Sequence, residues 1–245
     1  MTSRRLVARL VVLALALPPA LAFAKIPVGV PIARLSTTEK VIALSFDDGP
    51  RDSVVFDSLM AILAHRNVHA TFFVIGSELV LHPELAGRLL AAGHELGNHT
   101  WTHPHLDSIP VDSVRVELAR TDSLLRALGV RGRILFRPPY GETDEAVLKE
   151  LKHEHRVVAL FDVDPSYDFP TLSSPDSVVA KTVNWLGPGS ILVMHPWYER
   201  SDTTLAMVPL IVDWLQRLGY RVTTVSDLLK TRHAKPELSL YHRPE

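Results

Sequence analysis

The chain contains no cysteine, which excludes disulfides, thiolate metal sites and cysteine nucleophiles. Any metal would have to be held by His, Asp or Glu. A surplus of one charge is missing too. The 26 Lys and Arg offset 27 Asp and Glu, for a net charge of −1, so no electrostatic footprint marks a nucleic-acid or anionic-membrane partner. No low-complexity tract and no internal repeat interrupts the sequence. The apolar run Leu10–Leu17 is too short to span a bilayer. No phosphate-cradling Gly-rich loop follows the first strand, which weighs against a nucleotide-binding α/β protein. What remains is 245 residues, 47% hydrophobic and 22% charged, an ordinary globular composition sufficient for one sizeable core.

The N-terminus has the layout of a secretory signal peptide. Arg4, Arg5 and Arg9 precede the apolar run, followed by Pro18-Pro19 and the A-x-A site Ala22-Phe23-Ala24. The expected mature chain begins near Lys25, carries no stable membrane anchor after cleavage, and works outside the cytoplasm as a secreted or periplasmic protein. Residues 1–24 are thus the signal peptide, 25–37 a lead-in, 38–230 one domain and 231–245 a polar C-terminal tail.

The organising stretch is Val41–Pro50, V-I-A-L-S-F-D-D-G-P. Its apolar residues read as a buried strand that Gly49-Pro50 stop. Asp47 and Asp48 then sit side by side at the strand end, facing opposite ways if the strand alternation persists. Asp-Gly and Gly-Pro also suit a plain turn, so this stretch alone leaves both readings open. Downstream, helical periodicity is expected from Ser53 to about His65, over Glu84–Ala92, Val111–Leu128, Thr143–Leu151, Asp176–Leu186 and Leu205–Leu218. Strands are expected at Ala70–Ile75, His94–Asn98, Ile134–Phe136, Val157–Phe161, Ile191–Met194 and Arg221–Val225. The fold class is α/β. Regular alternation of about seven parallel strands with helices suggests a single (β/α) barrel, with an open doubly wound sheet as the alternative.

In such a barrel, chemistry gathers beyond the C-terminal ends of the strands. The first strand delivers Asp47 and Asp48; the third delivers His99 and His103; the fourth delivers Arg137-Pro138-Pro139-Tyr140-Gly141. The fifth delivers a loop with Asp164 and Asp168, and the sixth delivers His195. H-x-x-x-H on a helical turn would put both imidazoles on one side. Two imidazoles and an aspartate suit zinc and its neighbours, although two surface histidines would satisfy the same spacing.

Taken in order, S-F-D-D-G-P, H-T-W-T-H, R-P-P-Y-G and I-L-V-M-H resemble the motifs of the polysaccharide deacetylases, carbohydrate esterase family four with its NodB-homology domain. The resemblance covers roughly residues 38–230. It implies a distorted (β/α) barrel and metal-dependent hydrolysis of acetyl groups from N- or O-acetylated sugars. The exported compartment puts peptidoglycan first among substrates, with chitin oligomers or acetylated xylan next, and a monomer is expected. The resemblance further implies that Asp48, His99 and His103 bind one divalent ion, most often Zn2+. Asp47 would be the general base, tethered by Arg137. Tyr140 would offer its backbone N–H to the oxyanion, and His195 would be the general acid. Leu192 would line the acetyl pocket and Trp197 would touch the sugar.

One departure stands out. The family's fourth motif ends in Asp-Trp, whereas this loop reads D-P-S-Y-D-F with Phe169 in the Trp place and one residue more than usual. Asp168 is the first candidate to orient His195, with Asp164 close behind. Ser45 also replaces the usual Thr. His94 and Glu95 read as structural, and His105 as no more than an adventitious ligand.

Overall fold

The computed structural model describes residues 26–165, 174–198, 201–231 and 235–238. The expected signal peptide, Asp168 and the end of the tail lie outside the described residues. No helix among those described is long and apolar enough to cross a membrane.

The central strand is β2 (Val41–Asp47), every residue of which is buried. It pairs in parallel with β3 (Thr71–Val74) on one side and with β6 (Ile191–Met194) and β7 (Arg221–Thr223) on the other. β3 pairs in turn with β4 (Glu95–Asn98), giving the order β4-β3-β2-β6 with β7 beside β2. Single-residue parallel bridges then carry the pairing onward, from Asn98 to Phe136, from Phe136 to Val158 and from Val163 to Leu192. The result is a distorted (β/α) barrel whose far wall is made of bridges rather than regular strands. Of the expected strands, Ile134–Phe136 survives only as such a bridge, and Val157–Phe161 shrinks to β5 (Val158–Ala159).

Strand alternation divides β2 between two packing environments. Ile42, Leu44 and Phe46 face the helices, sharing a cluster with Phe56, Leu59 and Leu63 of α1 (Ser53–His65) and Val208, Ile211 and Val212 of α7 (Ser201–Arg217). Val41 and Ala43 face the interior, with Phe73, Leu135, Ala159, Ile191 and Val193. Ser45 and Asp47 continue that inner face towards the mouth. Asp52 caps α1, accepting hydrogen bonds from the N–H groups of Val54 and Val55 at 2.8 Å. The remaining helices, in order, are α2 (Gly76–Leu79), α3 (Pro83–Ala91), α4 (Val111–Ala127), α5 (Glu145–His153), α6 (Pro175–Trp185) and α8 (Val225–Leu229).

Two segments read as irregular are strands. Pro31–Ser36 (β1), in the supposed lead-in, pairs in parallel with β5 and antiparallel with β8 (Lys235–Leu238), which lies in the supposed loose tail. β1 has a buried apolar side, Ile32 and Leu35 packing on Val157 and Ala159. Its Pro and Arg residues hid that side from a periodicity reading.

Candidate active site

The mouth of the barrel gathers residues from five separate strand ends. Asp47, the last residue of β2, points into the barrel as alternation requires. Asp48 would face the helices on the same rule, but its left-handed backbone (φ 73°) breaks the strand and turns it to the same side. Both carboxylates therefore meet the same imidazole, His99, which corrects the expectation that they face opposite ways. Asp48 Oδ1 lies 3.4 Å from His99 Nε2 and 3.3 Å from His103 Nε2, while Asp47 Oδ2 is 3.7 Å from His99 Nε2.

His99 follows β4 directly, and the H-x-x-x-H segment is a loop, not a helical turn. Left-handed φ values at Thr100 (68°) and His103 (60°) curl it back. Asn98 Oδ1 accepts from Thr100 N–H at 2.8 Å, and Thr100 Oγ1 accepts from His103 N–H at 3.0 Å. The two imidazoles end with ring centroids 4.9 Å apart. His99 Nδ1–H donates to the Arg137 carbonyl at 2.7 Å, which fixes the ring with its Nε2 facing Asp48.

Asp48, His99 and His103 form the one group among the described residues whose donor atoms fit a metal ion, all within 4.8 Å of one another. A second observation supports the fit. Asp48 Oδ1 is buried and accepts no hydrogen bond, a costly state for a carboxylate unless a cation completes it. Burial works against the Asp48 charge, yet the close imidazole of His99, then those of His195 and His103, hold its carboxyl below the usual range. Burial likewise disfavours charge on His99, but Asp47 and Asp48 outweigh it and move the imidazole up. His103 goes the other way, to about 4, because burial and the neighbouring His99 both oppose protonation.

Arg137 is fully buried. Its Nη1 donates to Asp47 Oδ1 at 2.7 Å and to Ser45 Oγ at 2.9 Å, its Nε to the Ala159 carbonyl and its Nη2 to the Leu160 carbonyl, each at 2.9 Å. The guanidinium also lies 4.1 Å from the Phe73 ring centroid. Every direction in which it could swing is occupied, so it fixes Asp47 as well as neutralising it.

His195 directly follows β6, with Nε2 4.0 Å from Asp47 Oδ2 and Nδ1 3.6 Å from Asp164 Oδ2. Asp164 thus stands beside His195; Asp168, the first candidate for that place, lies outside the described residues. Tyr140 sits at the rim with φ 60° and ψ 2°. Leu192 is buried in the helix-facing core. Trp197 is buried with its indole against Gly49, where any Cβ would overlap the ring, so it supports the Asp47–Asp48 turn and offers no open platform to a sugar. Two rim residues carried no recognisable signal. Tyr198 is half exposed, and the Arg51 guanidinium lies 5.2 Å from its ring centroid while pairing with Glu78 at 3.0 Å.

A parallel barrel whose mouth gathers an Asp-His-His group that could hold a cation, a tethered carboxylate and a further histidine has the parts that metal-assisted hydrolysis requires. The chain belongs to the polysaccharide deacetylase family, whose model matches residues 34–158. It is 34% identical over 200 residues to the peptidoglycan-N-acetylmuramic acid deacetylase PdaC of Bacillus subtilis, covering 80% of this chain but only 41% of PdaC. It is 30% identical to a peptidoglycan-N-acetylglucosamine deacetylase of Bacillus cereus, covering 84% of this chain and 96% of that one. In structure it is similar to a CE4 family pseudoenzyme from Bacillus anthracis, with TM-score 0.73 and 26% identity over 81% of this chain and 68% of the other. The fold of this family therefore does not by itself establish turnover. The site must.

Proposed function

We propose that this protein is an active, exported deacetylase that hydrolyses the acetamido group of N-acetylated sugars of the peptidoglycan or chitin type, with residues 38–230 as its catalytic domain. The observation that carries this reading is the convergence of Asp48, His99 and His103, with an open Asp48 oxygen, beside a carboxylate held by a buried arginine. A divalent ion there, zinc by the chemistry of one carboxylate and two imidazoles, would polarise the acetyl carbonyl and lower the pKa of water towards neutrality.

The chain's own residues account for the proton movements. Asp47 takes a proton from the attacking water, and the Arg137 hydrogen bond keeps it aimed. The Tyr140 backbone N–H donates to the acetyl oxygen as negative charge develops there, stabilisation of the kind that usually dominates acyl-transfer catalysis. His195 gives a proton to the departing amine, and Asp164 holds its ring through Nδ1.

The test is acetate release by the zinc-loaded protein from peptidoglycan, N-acetylated chitooligosaccharides and acetylxylan, with and without chelator. Release from the first two, abolished by chelator and restored by zinc, is the expected result. Release from acetylxylan alone would make it an O-acetyl esterase. No release from any of them, with zinc bound, would make it a non-catalytic sugar-binding barrel.

A further inference from the structure

His105 and Glu142 take no part in the steps above, yet His105 packs on the strained Tyr140 and Glu142 pairs with His105. Tyr140 holds a left-handed backbone that a residue with a Cβ adopts at a cost. The turn around it has little of its own to enforce this. Pro138 and Pro139 supply no N–H, and two bonds close it, from Gly141 N to the Pro138 carbonyl at 3.1 Å and from Glu142 N to the Pro139 carbonyl at 3.2 Å. The phenol ring, in contrast, is gripped. The His105 imidazole stacks on it with centroids 3.8 Å apart and planes 6° apart, and His103 meets it edge-on at 4.6 Å. His105 Nδ1 lies 3.1 Å from Glu142 Oε2, so the next residue but one along the same turn fixes the stacked ring.

We propose that His105, fixed by Glu142, is a positioning residue that clamps the Tyr140 ring and so holds the strained Tyr140 backbone with its N–H aimed at the reacting acetyl oxygen. This rests on the reading of Tyr140 as oxyanion donor. A flat stack resists rotation about the Tyr140 side-chain bonds, and a ring that cannot turn anchors the backbone from which it hangs. The loop from His99 to His105 would thus serve the reaction at both ends, with imidazoles for the cation at 99 and 103 and a clamp for the donor at 105. The metal-ligating group does not include His105.

Three variants of the zinc-loaded protein test this on an N-acetylated chitooligosaccharide. His105→Ala should lower kcat about 10- to 100-fold, part of what deleting an oxyanion donor costs, with KM within about twofold and zinc content unchanged, because the contact matters most as charge develops. His105→Phe keeps the stack and should recover most of kcat, and Glu142→Gln should fall between. A parent-like kcat in His105→Ala, a loss that follows zinc content, or a Phe variant no better than Ala would each overturn the proposal. A second readout does not need turnover. Hydrogen exchange at the Gly141 and Glu142 amides should speed up at least about tenfold in His105→Ala as the turn opens, and unchanged exchange overturns the clamp. Were the parent itself to release no acetate, the proposed function would fail, while exchange would still decide the clamp.

Discussion

β4 carries a buried polar cluster at each end, and the two differ in whether they are closed. At its start, Glu95 accepts from Thr71 Oγ1 at 2.6 Å and from both the hydroxyl and the N–H of Ser226. His94 Nδ1 accepts from the Ala70 N–H, and burial together with His69 pushes its imidazole down to about 4, so it stays neutral. Just past the other end, His99 and Asp48 face each other with an acceptor oxygen left over. Burial and polarity are common to both clusters. What sets the functional one apart is the open acceptor, together with the left-handed backbone at Asp48, Thr100, His103 and Tyr140. The start of β4 is regular, as suits a structural cluster; the mouth is strained, as the proposed binding site requires.

Substitutions at the two ends should therefore fail differently. The largest effect is expected for Asp47→Asn, whose turnover should fall about 10²- to 10⁴-fold with zinc retained. Acetate release at the parent rate would remove Asp47 from the mechanism. Next, Arg137→Ala strips a buried carboxylate of its partner and should lower the unfolding free energy by about 3–5 kcal/mol in denaturant titrations. A loss under about 1 kcal/mol would show that Asp47 finds other support.

Asp162 offers the comparison on β6, at the end away from His195. It accepts from Ser190 Oγ at 2.7 Å and from Ile191 N–H at 2.8 Å, yet burial pushes its carboxyl up to about 6. A carboxyl that holds its proton more tightly when folded stabilises the native state below about pH 4, and that contribution is lost as pH rises through 6. The linkage is at most about 3 kcal/mol. Asp162→Asn should flatten the fall in stability between pH 4 and 6; an unchanged slope would place the titration elsewhere. The smallest effect is expected for Glu95→Gln. It should cost about 1–3 kcal/mol of stability and leave zinc content and kcat as they were. If turnover fell without loss of fold, the two ends of β4 would not be separable in this way.

Much of the candidate site was legible because strands and their stops are local. V-I-A-L-S-F followed by D-D-G-P shows where a buried strand ends, and the same reasoning locates His99, Arg137 and His195 at strand ends. The failures have physical causes. Pro31–Ser36 looks irregular because its pairing partners lie about 125 and 200 residues further on. The H-x-x-x-H loop is not helical because Asn98 and Thr100 side chains bond its backbone instead. That Asp164 stands beside His195 follows from the path of its loop, which spacing alone does not settle.

The amino-acid order by itself determined which groups stand at the ends of which strands, the residue types from which a cation site must be built, and the exclusion of thiolate chemistry, because these follow from composition and from periodicities of a few residues. Tertiary structure decided that residues 47, 48, 99, 103, 137, 164 and 195 form one cluster. It also decided that Arg137 is buried and that Asp48 turns against the alternation of its strand. Those outcomes depend on sheet order and on the packing of distant segments, where each contact is fixed by all the others at once.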